Sequence, residues 1–411
     1  MLVIMGCSND TTKPITGYLK GMVTNSVTSF PLSNVQVLIF NANTNAPVGT
    51  AQKTGFDGRY SVELPPGNYY ATFSKLGYDN IPPEGISPLP LNVIAGRTTN
   101  YSVQMIVSNI VGGGSISGRV TYMGSGLGGV LVTAGDTTKG YSSVTDGGGY
   151  FVINNIPAGS YTMQGWYSGY ESTDTLVVVN TGAETDNIRI ILTAGSAGTV
   201  TGKITFLATT NIEVDVALVH PLTRHTIPGL STMTVSQNYT LLNVPPGKYL
   251  ARATYANDGK VVDPDWIIKN GEPFVTVNRD TVVRDFSVTG AVELLSPTNA
   301  PTSTQPFEIS DSLPLFIWVP YSSADDYVIE VINQNGRVIW GGFASNWSVR
   351  NVVTTETQIR FNSDTSAMES LVRGMIYRWK IYASKDDHRE PYGWKLISAS
   401  EDQMGIIKFV R

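Results

Sequence analysis

Apolar and polar residues alternate with period two along most of this chain, which is the pattern of strands half buried against a core. The alternation comes in short runs broken by Gly, Pro, Asn and Asp, so the chain predicts many short strands joined by tight turns. One opening strand recurs three times: Gly17-Tyr18-Leu19-Lys20-Gly21-Met22-Val23-Thr24, then Gly114 to Thr121, then Gly198 to Thr205. A second strand follows each, at 35–39, 130–133 and 214–218. Next come turns at Thr54-Gly55-Phe56-Asp57-Gly58 and Thr145-Asp146-Gly147-Gly148-Gly149, and a degenerate one at Ser236-Gln237-Asn238-Tyr239. Asp-Gly and Gly-Gly pairs supply the positive φ angles of tight hairpins.

The sharpest recurrence is a corner: Pro65-Pro66-Gly67-Asn68-Tyr69, Pro157-Ala158-Gly159-Ser160-Tyr161 and Pro245-Pro246-Gly247-Lys248-Tyr249. Proline stops a strand because it cannot donate to the ladder. Glycine permits the reversal, and tyrosine opens the next strand with a large ring and a hydroxyl that can reach a backbone partner. Gly21 lies 46 residues before Gly67, Gly118 lies 41 before Gly159, and Gly202 lies 45 before Gly247. Ordered landmarks at near-equal spacing mark internal repeats.

This series resembles the carboxypeptidase regulatory-like domain over roughly residues 13–290. The resemblance implies a seven-stranded prealbumin-like sandwich, related to transthyretin and to starch-binding-like modules. Copies one and two also carry the later Gly-Tyr pair, Gly77-Tyr78 and Gly169-Tyr170; copy three has Asn257-Asp258-Gly259-Lys260 nearby. Residues 291–411 differ. Pro314 to Trp318 and Tyr377 to Tyr382 resemble the core-Trp and core-Tyr strands of fibronectin type III or immunoglobulin-like domains. Tyr327 to Val331 and Val338 to Trp340 read as a hairpin about Asn335-Gly336, and Asp364 to Arg373 as one helical turn.

The fold class is therefore all-β: tandem sandwiches, three prealbumin-like and one fibronectin-like. The expected units are 13–109, 110–194, 195–290 and 291–411, after a tether at 1–12. Short Gly-rich linkers at 111–115 and 194–198 predict neighbours set end to end with limited bending.

Composition narrows the function. Charged residues are only 15% of the chain, the net charge is −5, and no basic run occurs. That argues against nucleic acid, which needs a basic stripe. No apolar stretch approaches the ~20 residues of a membrane helix. The one cysteine excludes an intramolecular disulfide. It stands in Ile4-Met5-Gly6-Cys7, which resembles a bacterial lipobox, although the apolar run is short and lacks a basic start. Cys7 is thus the expected lipid attachment, and any membrane contact runs through it.

Catalytic chemistry is hard to find. His220 and His225 read as loop histidines, and His388 as part of an exposed mixed-charge hairpin tip. Asp263 with Asp265, and Asp325 with Asp326, are the paired carboxylates. Neighbours on a strand face opposite ways, so the latter two cannot serve one sugar. Asp57 and Asp146 suit turns without a metal. No catalytic, metal or cofactor residue is assigned, and the chain is not expected to be an enzyme. Trp318 and Trp379 match core positions. Trp166, Tyr167, Tyr170 and Trp347 are the candidates for stacking on a ligand.

The reading is an extracytoplasmic, lipid-anchored outer-membrane or cell-surface protein of a bacterial envelope. It would act as spacer, interaction or adhesion module for an envelope protein or glycan, as an elongated monomer or a subunit of a surface assembly. The alternative is a carbohydrate-binding protein using exposed aromatics on a starch-binding-like sandwich.

Overall fold

The computed structural model describes residues 16–410, apart from 83–87, 89, 109, 111, 137–138, 196, 208–212, 254–258, 271–272, 301–305, 334–336, 345–346 and 402–403. Cys7, Asn257, Asp258, Asn335 and Gly336 lie outside the described residues. The chain is a tandem series of β-sandwiches, and each of the first three units follows one pairing scheme. The opening strand (Gly17–Asn25, Gly114–Tyr122, Gly198–Leu207) pairs antiparallel with the strand before the corner and parallel with the last strand of its unit. The second strand (Gln36–Asn41, Leu131–Gly135, Glu213–Val219) pairs antiparallel with the strand after the corner, forming the opposite sheet.

The repeated residues have assignable jobs. A Cβ on Gly21, Gly118 or Gly202 would collide with the carbonyl of Tyr101, Ile188 or Arg284, so these glycines admit the returning parallel strand. The turn threonines fasten the two sheets: Thr54 Oγ1 donates to Leu32 O at 2.6 Å and Thr145 Oγ1 to Leu127 O at 2.8 Å. Gly58, Gly149 and Gln237 hold φ of 72°, 82° and 60°, and their carbonyls accept from Val23, Val120 and Ile204 N–H. The degenerate third turn thus keeps the geometry, with glutamine in the left-handed region that glycine favours.

Each unit has its own buried cluster, around Phe73, Phe151 and Tyr249 in the first three. The last unit packs Phe316, Trp318, Trp340 and Trp379 between a three-stranded sheet and a seven-stranded one. Trp318 and Trp379 are core residues there.

Two expectations need correction. Residues 364–373 form turns, because Thr365 sits at φ +61° and the Asp364 carboxylate is held by Trp340 Nε1 at 2.7 Å and by Ser366. The helix among the described residues is Pro264–Asn270 instead. Asp263 caps it, its Oδ1 accepting from Asp265 N–H at 3.0 Å, and Pro264 occupies the first helical position.

The simple end-to-end row is also replaced. Units one, two and three border a common cavity, and Ile376 and Ile406 of the last unit join the first unit's cluster of buried side chains. The cause is the specific joints between units, which fix their angles more tightly than the length of a linker does.

Candidate functional site

The corners are built alike. Tyr69 Oη donates to Pro65 O at 2.9 Å, Tyr161 Oη to Pro157 O at 2.9 Å and Tyr249 Oη to Pro245 O at 2.6 Å. A Cβ on Gly67 or Gly159 would meet the ring in ordinary contact, at 3.4 Å. Burial raises all three phenol pKa values, so they remain donors at neutral pH. Tyr249→Phe should cost about 1–2 kcal/mol, by stranding a buried carbonyl. Tyr69→Phe and Tyr161→Phe should cost less, because their hydroxyls are nearer water. Urea unfolding of the three variants checks the order.

The joints reuse one device. After the corner strand, each unit turns at a glycine in the left-handed region: Gly77, Gly169 and Gly259, at φ 84°, 78° and 76°. Each tip docks on the next unit. Gly77 N–H donates to Asn155 Oδ1 at 2.7 Å, and Asn155 Nδ2 returns a bond to Tyr78 O. Gly169 N–H donates to Asn243 O at 2.7 Å. Gly259 N–H donates to the Glu401 carboxylate of the last unit. Asn155 and Asn243 each stand two residues before the corner proline, at φ 59° and 58°, where the ladder to the opening strand slips register. They are bulge residues that re-aim an acceptor outward. The first unit has Glu63 there and keeps a regular register.

The second and third units are further locked by Trp166. Its ring is 7% exposed and lies over Gly247, where a Cβ would sit 2.6 Å from Cζ3. Trp166 Nε1 donates to Thr133 Oγ1 at 2.9 Å, and the ring meets Tyr249 and His220 edge-on at 5.6 and 5.2 Å. Arg279 makes a two-pronged bond to Glu171 across the same joint, and its guanidinium lowers the Glu171 pKa. As a platform for a ligand, Trp166 is therefore ruled out by burial. Tyr167 and Tyr170 are half-buried and face each other at 5.7 Å, with Tyr170 edge-on to Tyr122, so their rings serve the second unit's packing.

Trp347 is different: it is 41% exposed, at the tip of a hairpin in the last unit, with φ +61°. A bulky residue in the left-handed region is strained. Its ring begins a row: Trp347, Phe343, Trp394 and Tyr392, with successive centroids 4.7, 6.2 and 6.2 Å apart and planes within 31°. Tyr382 supports the row edge-on. The Arg350 guanidinium lies 4.8 Å over Trp394 and is fixed by Asp326 at 2.6 Å and Ser384 at 2.7 Å. In the sequence Trp347 and Trp394 both stand near turns; Phe343, from the Trp347 hairpin, and Tyr392, beside Trp394, complete the row.

The remaining polar candidates have structural partners. Asp325 accepts from Asp386 N–H, and Asp326 pairs with Arg350. Asp57 accepts from Arg59 N–H, and Asp146 from Gly148, Tyr150 and, in the first unit, Ala51. His388 is exposed. His220 is buried and His225 half-buried at the joint rather than solvated, with His225 Nδ1 bonded to Ser142 Oγ at 2.7 Å. Among the described residues no group of three or more His, Cys, Asp or Glu is placed to hold a metal. No helix of the described residues is long and apolar enough to cross a membrane.

Residues 18–105 and 115–193 match the family described as carboxypeptidase regulatory-like domain, which agrees with tandem prealbumin-like sandwiches. Among solved structures, the Bacillus anthracis TIE protein shares 16% identity over 67% of this chain and 50% of its own, with a TM-score of 0.18. The chain thus spans half of that protein. The shaft pilin SpaA of Lactobacillus rhamnosus GG shares 13% identity over 44% of this chain and 98% of its own, at TM-score 0.20. BcpA, the major pilin subunit of Bacillus cereus, shares 12% identity over 67% of this chain and all of its own, at TM-score 0.20. Overlays this poor carry nothing over to this chain. No curated protein matches.

Proposed function

We propose that this chain is a non-catalytic display or adhesion module of a bacterial envelope, held on the outer side by lipid on Cys7. The observation that carries the reading is the recurring joint: a glycine tip of one unit seated on a bulged asparagine of the next, at both Gly77 with Asn155 and Gly169 with Asn243. Joints that recur in this way hold neighbouring units at set angles, so the last unit is presented in one orientation. The last unit reads as fibronectin type III or immunoglobulin-like, which suits its packed Trp318 and Trp379. The test is to express the chain in a bacterial host and follow lipid labelling, with Cys7→Ser as control. Envelope fractionation and external protease then report display. A product that stays in the cytosol without lipid sinks the proposal.

A second reading, carbohydrate binding, is favoured by the ring row at Trp347. Neighbouring salt bridges, Asp326 with Arg350 and Asp387 with Arg389 and Lys395, leave one positive charge in excess beside it. Trp347 and Tyr392, exposed at the two ends of the row, offer aromatic surface to the apolar faces of a polysaccharide, while Trp394 between them is buried. Trp347→Ala should weaken binding to immobilised neutral glycans about tenfold or more, the loss of one stacking partner, with the melting temperature unchanged. Equal binding by wild type and variant would count against it.

A further inference from the structure

The outer face of one sheet of the second unit carries an open hollow of about 760 Å³. Its floor comes from two neighbouring parallel strands, Gly114–Tyr122 and Glu184–Ala194. That volume is in the range of small-molecule sites and far beyond one ion. Strand alternation turns Arg119 and Thr121 outward on either side of buried Val120. It does the same for Arg189, Ile191 and Thr193 around buried Ile190 and Leu192. Met123 borders the hollow and is 85% exposed.

Three observations set the chemistry of an occupant. The first is charge. Arg119 and Arg189 stand directly opposite each other across the parallel pair. Like charges so placed destabilise a sheet, and this chain has acids to spare, 33 against 28 Lys and Arg. Yet no Asp or Glu is among the described lining residues. Glu171 on the adjoining strand is engaged by Arg279, and Glu184 accepts from Ser117 Oγ at 2.5 Å. Asp186 sits past a slip in register and pairs with neither arginine. Among the described residues the exposed Arg189 side chain has no ion pair or hydrogen bond, and the Thr121 hydroxyl has no partner. Secondly, Arg119 is already placed. Its Nε donates to Gly148 O at 3.0 Å, and its guanidinium lies 4.9 Å over the Tyr150 ring. A Cβ on Gly126 would come 2.7 Å from Nη2, so the glycine leaves that group its position. The Nη donors are left for a ligand, in the fork that matches an oxyanion. Thirdly, Ile191, 54% exposed, and Met123 set apolar surface beside these cations. A bare ion has no use for that surface or for the threonine hydroxyls.

We propose that this hollow binds a phosphate or sulfate monoester of a sugar, with the oxyanion between the Arg119 and Arg189 guanidinium groups and the sugar over Thr121 and Ile191. The anion removes the repulsion between the two arginines, so occupancy stabilises the second unit. The site is separate from the ring row at Trp347 and does not depend on it.

Calorimetric titration of the full chain at low salt with glucose-6-phosphate, glucose-6-sulfate and the corresponding galactose esters tests this. Glucose, inorganic phosphate and inorganic sulfate are the controls. At least one ester should bind and raise the melting temperature. Glucose should not bind, and the inorganic ions should bind about fivefold more weakly or worse, for want of the sugar contacts. Arg189→Gln should weaken ester binding about tenfold or more, the loss of one charge-assisted fork. It should keep or raise the unliganded melting temperature, because it removes one of two opposed like charges. Arg189→Glu should pair with Arg119, abolish binding and raise the unliganded melting temperature. Arg97→Gln, which removes an exposed arginine of the first unit, should bind like wild type. Silence across all the esters, inorganic phosphate or sulfate binding as tightly as they do, undiminished binding by Arg189→Gln, or an equal loss in Arg97→Gln would each overturn the proposal.

Discussion

Trp166→Ala is expected to remove about 3–5 kcal/mol and to split a shared unfolding transition of units two and three into two. Three losses combine. A large ring leaves a joint that cannot collapse, because the Gly247 backbone it covers belongs to a rigid corner. Its edge-on contacts with Tyr249 and His220 vanish, each worth about 0.5–1.5 kcal/mol beyond area. Thr133, which is buried, also loses the indole N–H that its hydroxyl accepts. Trp166→Phe should retain most of the packing and cost about 1–2 kcal/mol, the hydrogen bond and part of the ring. Urea unfolding read by far-UV circular dichroism gives the energies, and small-angle scattering reports whether the array opens. A loss under about 1 kcal/mol with one unchanged transition would show that the joint holds without this ring. Gly247→Ala is the reciprocal change: its Cβ would press on a ring with no free end to yield, so it should loosen the same joint.

The same tryptophan shows where the sequence stops being informative. Within Gly159–Trp166, Tyr161, Met163 and Gly165 face the unit's own core, so alternation sends Trp166 outward. For an isolated sandwich that is a correct reading, and an outward tryptophan is a fair stacking candidate. What covers it is a glycine 81 residues further along the chain, and nothing local announces that. The motifs inside a unit were legible because each serves a contact fixed by the unit's own backbone: Gly21 under the Tyr101 carbonyl, Thr54 on Leu32, Tyr69 on Pro65. The first two joints were not, because their acceptors are asparagines whose bulged conformation shows only in the register. Asn154 and Asn155 read as ordinary strand residues in sequence. The helix at 264–270 had a visible start signal, Asp263-Pro264. Asp263 and Asp265 read there as a carboxylate pair, but the first is a cap and the second belongs to the first turn. The reverse error at 364–373 came from a polar run whose Thr365 adopts a left-handed angle that no helix continues. Trp347 was found by its place near a turn, but a row of four rings drawn from two hairpins needs coordinates.

Acid should weaken this joint before it weakens the rest of the molecule. His220 is 6% exposed beside Trp166, and Thr223 N–H donates to its Nδ1 at 3.3 Å. His225 lies five residues on and reaches Ser142 of the neighbouring unit. Burial lowers both pKa values to about 4, and for His220 the nearby His225 charge adds to the effect. In the unfolded chain both titrate near 6.5. Between pH 6.5 and 4 the unfolded state therefore binds more protons, so stability rises with pH across that window and is lost as the pH falls through it. Each histidine could contribute up to about 3 kcal/mol at the limit, and relaxation around a newly charged ring should reduce the pair to a total of about 2–4 kcal/mol. The carboxylates act lower on the scale. Arg279 holds Glu171 down, Arg389 holds Asp387 down, and hydrogen bonds from Ser366 and Trp340 hold Asp364 down against the opposing effect of burial. Their stabilisation is present above an unfolded value near 4 and is lost only below it. The interval from pH 6.5 to about 4.5 thus belongs to the two histidines. Urea midpoints at pH 7, 5.5 and 4.5 should fall steadily in the wild type. The double variant His220→Gln/His225→Gln should hold a flat midpoint over the same range, starting lower because it gives up the packing against Trp166. A wild-type midpoint that stays level from pH 7 to 4.5 would mean that water reaches these rings and that the joint is open in solution.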